Sequence, residues 1–188
     1  MTRQVILPLL LGITLALAGC ASPSTDNQGG ENYGKRTPGM KVEDDSIQDK
    51  ISDSLASTDA RFRDAHINID SYNGMVLLTG QVASDELKQK AGNVAEQARQ
   101  VRRVHNELEV AANSPIGQRM TDTWITGRIK ASLATDERID GSRIRVITEN
   151  STVYLMGMVT HQEADIVTNI ASQVGGIQRI VKVFEYLD

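Results

Sequence analysis

The stretch Val76-Leu77-Leu78-Thr79-Gly80-Gln81-Val82 recurs later in the chain as Val153-Tyr154-Leu155-Met156-Gly157-Met158-Val159. In both copies the small or apolar residues Val, Leu, Gly and Val sit at alternate positions, the period of a strand with one face buried. A glycine inside a strand costs stability, and the expected reason is close approach of a helix backbone. Just upstream lie Asn73-Gly74 and Asn150-Ser151, residue types that tolerate positive φ and mark a hairpin. Further upstream, Ile67 and Ile69 alternate in the first copy, and Ile144 and Val146 in the second. Each strand of this kind therefore has an antiparallel neighbour.

Outward from the hairpins the match continues. Ile47, Ile51 and Leu55 recur as Ile125, Ile129 and Leu133, apolar at every fourth position, which is one face of a helix. Ser84 and Thr160 open second helices, and Thr160-His161-Gln162-Glu163 has the capping-box pattern. Ala91, Val94, Ala95 and Ala98 form the apolar face of one; Ile166, Val167, Ile170, Ala171 and Val174 form that of the other. Final strands follow at Val104 to Val110 and Ile180 to Tyr186. A strand–helix–strand unit makes those last strands parallel to their partners. The fold class is α+β: two tandem αββαβ units, each a three-stranded mixed sheet packed against two helices. A unit of about 65 residues is near the lower limit for an independent core, so the two are expected to bury open sheet faces or flanks against each other.

The domain limits follow. Residues 44–111 form the first unit, whose first helix is expected to start at Asp44, Asp45 or Ser46 and to end near Ser57-Thr58-Asp59. Residues 112–120 are a linker and 121–188 the second unit. Residues 20–43 lack apolar periodicity and are rich in Ser, Asn, Gln, Gly and Pro, the composition of a tether. As a flexible coil it reaches roughly 25 Å.

Residues 1–19 read as a signal peptide. Arg3 precedes the apolar run Val5 to Leu17, which ends in Leu17-Ala18-Gly19-Cys20. This resembles the lipobox, and the resemblance implies cleavage before Cys20 with lipid on its thiol and new amino group. An ordinary secretory signal or a membrane anchor is the alternative, but the run is shorter than a spanning helix of about 20 residues. Cys20 is the only cysteine, so it forms no intrachain disulfide. Ala21 in place of Asp favours sorting to the outer membrane, by analogy with the usual lipoprotein rule; the periplasmic face is the default. Removal of residues 1–19 takes away one Arg and no acid, so the net charge moves from −4 to −4 − 1 = −5. That acidity argues against a nucleic-acid partner.

The element order and the strand glycines resemble the BON domain. A lipobox, a polar tether and two such units resemble the dual BON-domain outer-membrane lipoproteins. Asp122-Thr123-Trp124-Ile125-Thr126, and Thr148-Glu149-Asn150 before Val153 to Gly157, carry the likeness. The resemblance covers essentially the whole chain. It implies a non-enzymatic protein that binds anionic, phosphatidylglycerol-like phospholipid through its second unit and supports outer-membrane integrity. The competing expectation is a scaffold that binds an envelope-assembly or cell-division protein.

The candidate site centres on Trp124, the one tryptophan. It stands one step off the apolar stripe, where the first unit has Ser46, so the shared fold does not require a ring there. Gly127 and Ala131 share its face, and Met120 lies one turn earlier. Arg128 and Lys130 offer charge to a phosphate, with Arg119 at the entrance and Thr123 beside them. The site set is Arg119, Met120, Thr123, Trp124, Gly127, Arg128, Lys130 and Ala131. The bland alternative packs Trp124 between the units. Arg99, Arg102 and Arg103 read as a solvated helix end. His66, His105 and His161 lack ligand spacing and are expected at the surface, and the carboxylates are expected in caps and on solvated faces. No phosphate loop, G-x-S-x-G elbow or H-E-x-x-H motif is present, so no catalytic residue, metal or cofactor is expected.

Overall fold

Two turns set the geometry of the chain. Asn73 and Gly74 take φ of 52° and 72°, and Asn150 and Ser151 take 48° and 60°. Two successive positive values define the tight turn whose twist matches a hairpin. In the computed structural model, which describes residues 33–188, the first turn joins β1 (His66–Tyr72) to β2 (Met75–Val82). The third strand of this sheet comes in two pieces, β3 (Arg103–Asn106) and β4 (Glu109–Val110), both parallel to β2. The second turn joins β5 (Arg145–Glu149) to β6 (Thr152–Val159), and β7 (Arg179–Tyr186) runs parallel to β6. The helices are α1 (Pro38–Thr58) and α2 (Asp85–Gln97) in the first unit, α3 (Ile116–Thr135) and α4 (His161–Ser172) in the second. The αββαβ order and the mixed sheets stand as the sequence predicts.

Alternation assigns each face of the sheets. Val76, Leu78 and Val82 meet Ile47, Ile51, Leu55 and Leu87 in one core. Val153, Leu155 and Val159 meet Ile125, Ile129, Leu133 and Val167 in another. The opposite faces bear Tyr72, Met75 and Leu77 on one sheet and Tyr154, Met156, Met158 and Val183 on the other, and these close a third core between the sheets. The described residues thus stack as helices, sheet, sheet, helices. Tyr72 donates its hydroxyl to the Arg143 carbonyl at 2.6 Å across this junction. Arg102 pairs with Glu185 there as well, at 2.5 Å.

Several sequence expectations need correction. Helix α1 begins six residues ahead of Asp44, at Pro38 (44 − 38 = 6), because Thr37 accepts from the Met40 N–H and Pro38 stands at the first helical position. Residues 38–43, assigned to the tether, are helical. Helix α3 likewise begins at Ile116, inside the assigned linker 112–120, directly after Pro115. The glycines are not there for helices. Gly80 has φ +113°, and a Cβ would strike the His66 carbonyl of the neighbouring strand at 2.0 Å; at Gly157 the close neighbour is the Arg143 carbonyl. The last strand of the first unit breaks between β3 and β4, where Asn106 turns its amide to the Lys88 carbonyl of α2. Cys20 and residues 1–32 lie outside the described residues.

The carboxylates hold the largest surprise. Asp44 does not cap a helix. It is 1% exposed within α1 and accepts from the Asn73 and Gly74 N–H groups at 2.8 and 2.9 Å, from Ser71, and from Arg36 at 2.7 Å. Asp122 does the same in α3, accepting from the Asn150 and Ser151 N–H groups, both at 2.9 Å. Burial raises the pKa of Asp44, but the hydrogen bonds from Gly74, Ser71, Arg36 and Asn73 outweigh it and hold the carboxyl below its usual value. A lowered folded pKa means that this stability is complete above the ordinary carboxylate range and is lost as pH falls through the folded value.

Asp122→Ala should cost about 3 kcal/mol, since it leaves two buried N–H groups without their charged acceptor; urea unfolding at neutral pH measures it. Asp44→Asn should lower neutral stability and flatten the acid limb of the stability–pH curve, read from unfolding midpoints across the acid range.

Candidate functional site

Helix α3 spends one face on the core. Ile125, Ile129 and Leu133 are buried against β5 and β6, and Asp122 holds the turn. At about 100° per residue, Ile116, Met120, Trp124, Gly127 and Ala131 fall on the opposite side. Their exposure there is unusual for their size: Ile116 75%, Met120 68% and Trp124 56%. These three recur at every fourth position, so they form a continuous apolar ridge over the first half of the helix. Trp124 therefore does not pack between the units.

The flanks are basic. The Arg128 guanidinium lies 5.5 Å from the centre of the Trp124 ring, within cation–π range. Lys130 is exposed on the other flank. Among the described residues, neither Arg128 nor Lys130 has an ion-pair partner within 4.0 Å, unlike Arg61, Arg102 or Arg138. Gly117 and Gly127 would place an added Cβ in open space. Packing does not demand glycine at either position, and its effect is to leave the ridge low and accessible. Thr123 turns its hydroxyl back to the Arg119 carbonyl at 2.8 Å. The helix starts without a side-chain cap and without acid in its first turn, so its positive end is uncompensated.

Not all of the predicted set converges. Met120, Trp124, Gly127, Arg128 and Ala131 share the ridge or its border and Lys130 flanks it, whereas Thr123 lies on the flank that lines the cleft between the units. Arg119 points elsewhere: it is half-buried, donates from Nε to the Ser114 carbonyl at 3.0 Å, and lines a cleft between the units. Ile116 belongs to the ridge and was missed. It precedes Met120 by one turn, and it joins the ridge because the helix starts at Ile116 and not at Thr121. The basic cluster also divides: Arg102 makes the junction pair with Glu185, while Arg99 and Arg103 are exposed. His161 is exposed, whereas His66 and His105 are half-buried; burial and the Arg103 charge push the His105 pKa down.

The BON domain model matches residues 43–112 and again 121–188. The chain belongs to the BON-domain family. It is 35% identical to a Haemophilus influenzae protein named outer membrane lipoprotein DolP, over 97% of this chain and 96% of that one. It is 33% identical to the 21 kDa hemolysin of Actinobacillus pleuropneumoniae, over 81% of this chain and 78% of that one. It is 27% identical to osmotically-inducible protein Y of Escherichia coli, over 96% of each. In this BON protein only the second domain carries the ridge. The equivalent line on α1 of the first reads Pro38, Val42, Ser46 and Lys50.

Because Trp124 lies outside every core, Trp124→Ala should move the unfolding free energy by less than about 0.5 kcal/mol. Ile129→Ala on the buried face of the same helix should cost about 3 kcal/mol. Urea unfolding of the two variants side by side checks both.

Proposed function

We propose that this chain is a non-enzymatic outer-membrane lipoprotein, anchored by lipid on Cys20 at the periplasmic face, whose second BON domain rests on anionic phospholipid through the outer face of α3. The observation that carries this is the exposed ridge Ile116–Met120–Trp124 between Arg128 and Lys130. It is apolar where a water-facing helix surface is ordinarily polar, and its border charges have no ion-pair partner within the described protein. Among the described residues no helix is long and apolar enough to cross a membrane; the anchor at Cys20 rests on the resemblance of Leu17-Ala18-Gly19-Cys20 to the lipobox. The name of the Haemophilus relative supports the outer-membrane assignment.

A Trp body immersed at headgroup depth leaves its N–H at the wet side. Arg128 offers a forked donor to phosphate once its ring contact is exchanged for lipid. Each basic residue near an anionic surface contributes about 1 kcal/mol, screened by salt. Two such residues plus one ring give weak attachment by themselves, which suits a protein already tethered. Lipid contact then fixes orientation and position, in support of outer-membrane integrity, with phosphatidylglycerol-like headgroups as the preferred class.

The test is Trp124 fluorescence of the full chain mixed with vesicles of phosphatidylglycerol or of phosphatidylcholine. A blue shift with the first and none with the second is expected, fading as salt rises. Trp124→Glu should weaken co-sedimentation with anionic vesicles by roughly 2 kcal/mol, about thirtyfold. Equal emission in both vesicle types, or unchanged co-sedimentation of a folded Trp124→Glu protein, would refute lipid docking through this face and leave a protein interface.

A further inference from the structure

A second surface lies on the other flank of α3. A cleft of about 600 Å³ separates the two BON domains on the side where β1 and β5 are the outer strands. Each of these strands pairs on one side only. In a two-residue hairpin the residues flanking the turn exchange both backbone bonds, and the pattern then alternates. Counting from Tyr72 and Glu149, the residues whose N–H and C=O point off the sheets are Ser71, Ile69 and Ile67 on β1 and Thr148 and Val146 on β5; Ser71 is fully buried, which leaves Ile67, Ile69, Val146 and Thr148. All four line the cleft. Among the described residues, no backbone or side-chain hydrogen bond reaches those outward groups.

Free strand edges are ordinarily covered or blunted with charge, bulge or proline. Here the Ile67–Ile69 edge is half-buried and bordered by Gln48, Asp49 and Ser52 of α1. It presents two successive pairing sites of a strand register. The β5 edge is less available: Val146 and Thr148 are nearly closed off, and Thr148 is tied to Thr126 at 2.7 Å.

The charge of the cleft is one-sided. Glu149 is buried and accepts from Asn68, Gln81 and Ser114, which bring no charge; His66 Nε2 lies 3.4 Å away. Asp122 is satisfied by backbone N–H groups and Gln118. Asp70 is balanced by Arg145. Asp49 is exposed at the rim. Three formal negatives (Asp49, Asp122, Glu149) thus face one lining Arg119, and low-dielectric walls focus that field.

We propose that this cleft is a strand-docking site in which an extended, cationic segment of a partner protein adds to the free edge of β1. Backbone pairing with Ile67 and Ile69 supplies the register, and alternate basic side chains meet Asp49 and the Glu149 field. The other occupants fit less well. The chain's own residues 21–32 contain Asp26 and Glu31 and no Lys or Arg. A second copy offering the same edge would oppose like charges. The lipid ridge on α3 turns away from the cleft, so both surfaces are open to be filled together.

The test uses the full lipoprotein, isotope-labelled, in uncharged detergent micelles. The probe is a capped peptide alternating lysine with valine. Expected are slowed amide exchange at Ile67 and Ile69 and loss of about tenfold in affinity when alternate peptide nitrogens are methylated at unchanged charge. A glutamate-for-lysine peptide should not bind, and Asp49→Lys should weaken the parent peptide by about fivefold while vesicle binding holds. Trp124→Glu should leave peptide affinity unchanged. The proposal is overturned if the peptide does not bind, if methylated and unmethylated peptides bind alike, or if the perturbed amides are those of Met120 to Ala131 instead.

Discussion

A buried carboxylate that reaches from a helix into a hairpin turn holds each half of this molecule together. Asp44 and Asp122 occupy equivalent places, and each accepts two backbone N–H groups of a turn whose residues are all at positive φ. The arrangement answers two costs at once. The turn leaves donors pointing inward that the sheet does not satisfy, and such donors are expensive when buried. The helix lacks a fixed rotation and height over the sheet until something polar pins it. One Asp does both, so the apolar stripe and the hairpin are set in register by a single side chain. The first domain adds Arg36, which pairs with Asp44 and lies 3.9 Å over the Tyr72 ring. In the second, no cation among the described residues pairs with Asp122, which accepts from Gln118 instead.

From this constraint the rest is nearly forced. With one sheet face given to helices, the opposite face must be covered, and a single BON domain has nothing to cover it with. The duplicate supplies the cover. Tyr72, Met75 and Leu77 meet Tyr154, Met156, Met158 and Val183. Polar links at the margin, Arg102 to Glu185 and Arg145 to Asp70, fix the stacking angle more than they add stability. Back-to-back stacking consumes both sheet faces and leaves two kinds of surface: the outer faces of the helices and the outer strand edges. Both candidate sites come from those two remainders.

Much of this was legible in the chain because it rests on periodicity. The fourfold spacing of Ile125, Ile129 and Leu133, the alternation through Val153 to Val159 and the turn residues at 73–74 and 150–151 are local signals, and the repeat let each copy check the other. What the sequence hid was of two kinds. An apolar stripe marks a helix only from its first buried residue, so the solvent-facing first turns at Pro38 and Ile116 carry no such mark. That is why Ile116 dropped out of the ridge. The second kind is tertiary. Nothing near Asp44 in sequence says that a turn 29 residues on will claim it. Likewise Arg119 looked like a partner for Trp124, until a helix turn of roughly 140° put the two on different flanks.

That last separation is the functional point. A helix with one buried face has two flanks and an outer face, and α3 uses them differently. The outer face is apolar with loose basic charge, suited to an anionic bilayer surface. The flank toward β1 and β5 holds Arg119, Asp122 and Thr126 against a polar, acidic cleft. The first domain, with Val42, Ser46 and Lys50 on the matching line of α1, keeps the scaffold but not the ridge. Duplication therefore does more than complete a core. Once two copies are locked sheet to sheet, each is relieved of supporting every surface, and substitutions on one copy's outer helix face, such as Trp124 and Gly127 where the other has Ser46 and Asp49, cost the fold little. Divergence is expected there and not at Asp122, which no surface role could replace without loosening the turn beneath it.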